Sequence, residues 1–277
     1  MTKMYGFEEP LVSPFRDVVE EARKLLVERE PIVELLLTAI LAGGHVLLEG
    51  YLGVAKTYTA MIFARLIGGK FKRIQCTPDI LPSDILGSYI FDQRTGKFVL
   101  RKGPIFANVI LVDELNRANP RTQSAFIEAL QELRVSIEGT TLELPQPFII
   151  VATRVTLIEE EGIYPVPRVF IDRFMFSIPI GEVSPEKEAE VLSRIDSIEA
   201  LEVKQVVDPK TILKFRERAK RITVAPSVKD YIVRVRRTIY HSKDVLYPPS
   251  TRASISLYKG ARVLALMHGR DYVVPDD

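Results

Sequence analysis

The 277-residue sequence contains a single cysteine, Cys76. That excludes an internal disulfide and any metal site built from several thiolates. Its three histidines, His45, His241 and His268, are scattered, so no histidine-built metal site is expected. No apolar run reaches the roughly 18 residues that would suggest a membrane-spanning helix. The first residues, Met1-Thr2-Lys3-Met4-Tyr5-Gly6, lack the apolar stretch of a secretory leader, and the expected location is cytoplasmic. An excess of one charge is also missing. Thirty-eight Lys and Arg face 36 Asp and Glu, a formal net charge of +2, so no global field steers the chain to nucleic acid or membrane. There is no internal repeat, no low-complexity tract and no Asn-Lys-x-Asp motif of the kind GTPases use to read guanine. What remains is an ordinary globular composition, 47% hydrophobic and 27% charged, long enough for a large domain with or without a small one.

The most informative stretch is His45-Val46-Leu47-Leu48-Glu49-Gly50-Tyr51-Leu52-Gly53-Val54-Ala55-Lys56-Thr57. A short apolar run reads as a buried strand, breaks at Gly50, and leads through a loop to Lys56-Thr57 just before an apolar-periodic helix. That is the context of a phosphate-binding loop. Backbone N–H groups from Gly50 through Gly53, Val54, Ala55 and on to Tyr58 would face anionic oxygens, helped by the helix dipole. Lys56 would reach the β and γ phosphates and the Thr57 hydroxyl would ligate Mg²⁺. Ala55 stands where the usual spacing has a second glycine.

Ahead of the loop, residues 16–42 carry a helical pattern that Pro31 divides in two. Behind it, a helix from Tyr58 to Ile67 ends at Gly68-Gly69, and Phe71 to Cys76 alternates as a second strand. This order implies a parallel βαβ unit. Two hairpins are expected, near 87–101 and 135–144, as insertions in the core. Val109 to Val112 reads as a strand covered on both faces and ends in Asp113-Glu114. In nucleoside-triphosphate-hydrolysing domains of this kind the first acid helps hold Mg²⁺, and a neighbouring carboxylate can polarise the attacking water. Asn119-Pro120 caps a helix running to about Arg134. Phe148 to Thr153 and Phe174 to Ile180 supply the fourth and fifth strands. Past Gly181 the pattern turns helical, near 185–195, 209–221, 227–241 and 251–268. The expected division is therefore an α/β domain over 1–182 and a small helical lid over 183–277. Pro275-Asp276-Asp277 looks like the start of a further helix, so a truncation there is expected.

Taken together the residues resemble the MoxR family of AAA+ ATPases over nearly the whole chain. The resemblance rests on Gly44 to Gly50 and Gly53 to Thr57, on Thr77-Pro78-Asp79 and Leu81-Pro82-Ser83-Asp84-Ile85, and on Gly103-Pro104-Ile105-Phe106-Ala107-Asn108. The most specific stretch is Asp113-Glu114-Leu115-Asn116-Arg117-Ala118-Asn119-Pro120-Arg121-Thr122-Gln123-Ser124-Ala125. Glu161 to Pro165, Ile171 to Phe174 and Gly269 to Val273 also match. The resemblance implies a five-stranded α/β core with hairpin insertions and a helical lid. It implies Mg·ATP as ligand, a hexameric ring, and a protein partner, in this family often one with a von Willebrand factor A domain. It assigns Asp113 to Mg²⁺, Glu114 to the catalytic water, Arg173 to the arginine finger reaching a neighbouring subunit, and Arg252 to the lid arginine called sensor 2. Ala55 is usual for the family.

Two positions depart from the family pattern. Val27-Glu28-Arg29-Glu30 stands where a Gly-Gln near adenine is usual, and Val155 stands where the polar sensor 1 residue is usual. Valine can neither donate nor accept a hydrogen bond. The leading expectation is a chaperone-like remodelling ATPase. The alternative is an ATP-gated binding module with weak or no hydrolysis. A nucleic-acid motor is less favoured: Lys214, Arg216, Arg218, Lys220 and Arg221, with Arg234, Arg236 and Arg237, read as solvated helix faces.

Overall fold

The structure is a computed structural model describing residues 11–50, 54–154 and 163–277. Two compact units make up the chain: His45–Ala64 with Gly69–Glu182, and the segment up to Gly44 with Arg65–Gly68 and Val183–Asp277.

The first unit is built on the expected five-stranded parallel sheet. Its strands are β1 (Val46–Gly50), β2 (Phe71–Gln75), β5 (Val109–Asp113), β8 (Ile149–Arg154) and β9 (Phe176–Ile180), in the order β2-β5-β8-β1-β9. Every residue of β5 is buried, as its unbroken apolar run requires. Strand β2 lies at the edge, and Lys72, Arg73 and Gln75 on it are exposed. Charged side chains of this kind blunt an open edge against unwanted pairing. His45 ties the lower end of β1 in place. Its Nδ1 accepts from Ile150 N–H at 3.0 Å, so Nε2 carries the proton and donates to Leu130 O at 3.2 Å.

Both hairpins are present. Strands β3 (Gly87–Asp92) and β4 (Lys97–Lys102) pair from Gly87↔Lys102 to Asp92↔Lys97, and β6 (Arg134–Ile137) pairs with β7 (Thr140–Glu143). The second has a two-residue loop, Glu138-Gly139, with φ of 45° and 83°. Positive φ at both positions is the turn that follows the twist of a hairpin, and Gly139 supplies it without strain. Tyr89 links the two insertions: its hydroxyl lies 3.2 Å from Thr140 Oγ1.

One helix differs from expectation. The segment after Asn119 does not run unbroken to Arg134 but splits into Pro120–Ser124 and Ile127–Glu132. Between them Ala125 and Phe126 bond three residues back, to Thr122 and Gln123, a tightened turn that seats the fully buried Phe126. Asn119 is the N-cap as expected, its Oδ1 accepting from Thr122 N–H at 3.0 Å.

The second unit is helical. In chain order after α1 (Phe15–Leu25) and α2 (Glu30–Ala42) come Pro185–Ala200, Pro209–Ala219, Pro226–His241 and Thr251–Met267. Pro31 lies in the first turn of α2, where its missing N–H costs nothing. The expected division puts residues 11–44 with the sheet, and they group instead with these later helices. The reason is visible in α2, whose residues from Leu35 to Leu41 are all buried. A helix apolar nearly all round needs neighbours on every side. Among them, Phe15 of α1 meets Phe215 edge-on at 4.8 Å, and Arg216 Nη2 donates to the Ile40 carbonyl at 2.6 Å. Arg216 is thus not a solvated residue, and burial lowers its pKa from the ordinary value. Arg218 lies over the Phe215 ring and Arg236 over Tyr240.

Candidate functional site

In an open parallel sheet, ligands bind beyond the C-terminal ends of the strands, where the connections diverge. Strands β1, β2, β5 and β8 bring Gly50, Gln75, Asp113 and Thr153 to that edge. A Cβ at Gly50 would stand 2.2 Å from the Ile180 carbonyl oxygen, so only glycine lets β1 leave the sheet there. The loop's Tyr51, Leu52 and Gly53 lie outside the described residues. Helix α3 (Lys56–Leu66) begins two residues ahead of its apolar pattern. Ala55, just before it, has φ of 61°, the left-handed region that a glycine would occupy freely.

Lys56 is 8% exposed, and its Nζ donates to the Gly50 carbonyl at 2.7 Å. Burial pulls its pKa below the ordinary value, and the nearby Asp113 and Glu114 oppose that shift. The ammonium therefore lies within electrostatic reach of the acid pair.

Asp113 is 6% exposed and held on both carboxylate oxygens. Oδ1 accepts from Thr153 Oγ1 at 2.7 Å, and Oδ2 lies 3.2 Å from Thr57 Oγ1. Oδ2 also accepts from Arg73 Nε at 3.0 Å and Nη2 at 2.7 Å. Glu114 turns out of the strand with φ 55° and ψ 52°. A left-handed non-glycine residue costs about 1–2 kcal/mol, and such strain collects at functional sites. The turn aims its carboxylate at Gln75 Nε2, 3.0 Å away, and at Arg117 Nε, 2.9 Å away. Its own N–H donates to Thr153 Oγ1 at 2.8 Å.

The donors fit a hard cation. Thr57 Oγ1 and Asp113 Oδ2 are hard oxygen donors one hydrogen-bond length apart. Mg²⁺ keeps several waters and takes one or two protein oxygens plus phosphate. No cluster of three or more His, Cys, Asp or Glu that would make a dedicated cage exists among the described residues.

Of the two assigned arginines, Arg173 follows the short helix Arg168–Ile171 in the sheet-bearing unit. Its guanidinium bonds the Val169 carbonyl and, at 3.0 Å, Gln131 Oε1. Arg252 belongs to the helical unit, exposed in the first turn of the helix Thr251–Met267, its N–H capped by Ser250 Oγ at 3.0 Å. Val155 and the Glu161-Gly162 part of the family match lie outside the described residues. Of the other departure, Glu28 adopts φ of 57° and Arg29 is buried.

Arg73 and Gln75 join the site without having been expected there. Their signal was present, two polar side chains two residues apart on one strand face, but it equals that of any exposed edge strand.

A parallel sheet of this order, Lys56-Thr57 opening the helix that follows β1, and an acid pair ending β5 are the frame of the phosphate-loop ATPase class of fold. Residues 45–176 match the model of the ATPase family associated with various cellular activities (AAA), and residues 241–277 match the AAA lid domain. Chaperone MoxR1 of Mycobacterium tuberculosis is 41% identical, the match covering 93% of this chain and 70% of that protein. Protein YeaC of Bacillus subtilis is 40% identical over 98% of this chain and 85% of its own length. The crystal structure of a Cytophaga hutchinsonii protein superposes with a TM-score of 0.85 at 36% identity, covering 94% of this chain and 82% of that one. The chain belongs to the MoxR family of AAA+ ATPases.

Proposed function

We propose that this chain binds Mg·ATP at the Gly50–Thr57 loop, hydrolyses it, and uses the cycle to remodel a protein partner as part of a ring of subunits, most simply a hexamer. The observation that carries the nucleotide site is the convergence of Lys56, Thr57 and Asp113 at the C-terminal edge of the sheet, with Thr57 Oγ1 3.2 Å from Asp113 Oδ2. The family membership supports the ATPase class, and the name Chaperone MoxR1 supports the remodelling role by analogy.

In this reading Lys56 and the loop N–H groups neutralise and orient the phosphates. Bound Mg²⁺ supplies charge stabilisation on the transferring phosphoryl group. Thr57 and Asp113 hold it. Glu114 takes the proton of the attacking water, and Thr153 fixes the backbone that aims Glu114. Arg173 reaches a neighbouring subunit's nucleotide, and Arg252 acts from the lid.

Lys56→Ala tests the site. ATP and ADP with Mg²⁺ should raise the melting temperature of the wild type and leave that of Lys56→Ala unmoved. An equal shift in both proteins would place the nucleotide elsewhere.

A further inference from the structure

Asp113 Oδ2 is a crowded atom. Arg73 Nε and Nη2 approach it at 3.0 and 2.7 Å, and Thr57 Oγ1 at 3.2 Å. A carboxylate oxygen has two lone pairs, and three donors already converge on this one. It is also an oxygen of the proposed Mg²⁺ site, and the role inferred for Arg73 rests on that reading. A hydrated divalent cation entering there meets the positive guanidinium of Arg73. One cation must yield.

Arg73 is built to yield. It sits on the edge strand β2 with its side chain 49% exposed, so it can swing into water. Thr57 lies on the first turn of α3 and Thr153 inside β8, and neither has that freedom. Arg73 is also wired to the second acid. Its Nη2 bonds Gln75 Oε1, and Gln75 Nε2 donates to Glu114 Oε2 at 3.0 Å. A side-chain amide whose oxygen is held by Arg73 must present its nitrogen to Glu114.

We propose that Arg73 is a resident counter-cation of the metal site, a positioning residue that holds Asp113 until Mg²⁺ displaces it. Its departure removes the partner that orients Gln75, one of the two side chains that hold the Glu114 carboxylate.

The test is Mn²⁺ binding in the presence of saturating ADP, followed by the electron paramagnetic resonance of free Mn²⁺. Removing the competitor in Arg73→Met should tighten Mn²⁺ binding by at least about fivefold, the lower range of a coupling between two sites. Arg73→Lys keeps the charge but loses the two-donor fork, and should fall between Arg73→Met and wild type. It carries the test if Arg73→Met does not fold. A merely structural role predicts the opposite direction, since a loosened Asp113 binds metal less well. Unchanged or weaker binding in both variants overturns the proposal. So does tight binding in Arg73→Met with Arg73→Lys at the wild-type value, because that pattern reports only the field of the charge. Absence of any ADP-dependent Mn²⁺ site in the wild type would instead overturn the nucleotide-site reading itself.

Discussion

Thr153 Oγ1 donates to Asp113 Oδ1 at 2.7 Å while accepting the Glu114 N–H at 2.8 Å, so one hydroxyl on β8 fixes both acids that end β5. The residue is fully buried, and no solvent can replace it. Thr153→Val keeps the shape and deletes both bonds. A buried donor and acceptor left unmade should lower stability by about 1–3 kcal/mol. Turnover should fall by about 10²-fold through misplacement of Glu114, with nucleotide affinity much less affected. Thr153→Ser should restore most of both. Denaturation midpoints and ATP hydrolysis of the three proteins check this; a Val variant with wild-type turnover would remove Thr153 from the site.

Glu34 gives the helical unit a pH dependence. Burial raises its pKa from 4.5 to about 7; Arg23 opposes the shift and Glu30 adds to it. A raised folded-state value means the native protein favours the neutral acid. That contribution is complete below pH ~4.5 and is lost as pH rises through ~7. Glu34→Gln, always neutral, should match wild type at pH 4 and melt higher at pH 8. Allowing for solvent screening at a partly exposed group, the gain should be about 1 kcal/mol, or roughly 2 °C. Equal melting temperatures at pH 8 would show that Glu34 is ionised without penalty.

The ring is tested by mixing. Arg173 is half-buried beside Gln131, and its assigned role is on a neighbour's nucleotide. Arg173→Ala and Glu114→Gln subunits should each be inactive alone, a finger arginine being worth about 10³–10⁵ in rate. Mixed rings contain intact sites, formed where a wild-type Glu114 faces a wild-type Arg173, and should regain hydrolysis. Mixed rings that form but hydrolyse nothing at any ratio would exclude the trans arrangement.

The sheet was legible because its strands advertise themselves. Val109 to Val112 is apolar on both faces, and nothing but a covered strand tolerates that beside an acid pair. The caps were legible too: Asn119, Ser184 and Asp208 all accept from the N–H three residues on. What periodicity cannot tell is the identity of a partner. The apolar face of α2 announced burial, yet not that Phe215 and Arg216 belong to the unit it joins. The break at Ala125 and Phe126 was hidden because both residues keep right-handed helical backbone angles. Arg73 was hidden for a similar reason. A charged residue on an edge strand looks solvated until the fold sets an acid 40 positions away within 2.7 Å of it.

The bonds of Thr153 sharpen what Val155 implies. The family resemblance puts Val155 at the position of a polar sensor for the γ-phosphate; of the neighbours that could serve instead, Thr156 lies outside the described residues, and Thr153 is a hydroxyl two residues before Val155. A threonine has a single O–H donor. In this protein Asp113 takes it, and the oxygen's accepting side is occupied by Glu114 N–H. Turning that donor toward a phosphate would release the acid it holds. Arg154, the next residue, pairs with Glu49, whose other oxygen accepts from Ser177. Neither Thr153 nor Arg154 is therefore a costless substitute. Loss of one preorganised polar contact costs about 10²–10³ in turnover while ground-state affinity survives. The wild type should accordingly bind ATP well and hydrolyse it slowly, and Val155→Asn should hydrolyse it at least about tenfold faster. Single-turnover hydrolysis at saturating Mg·ATP decides the matter. A wild-type rate that the asparagine leaves unchanged or lowers would mean that another group supplies the missing contact.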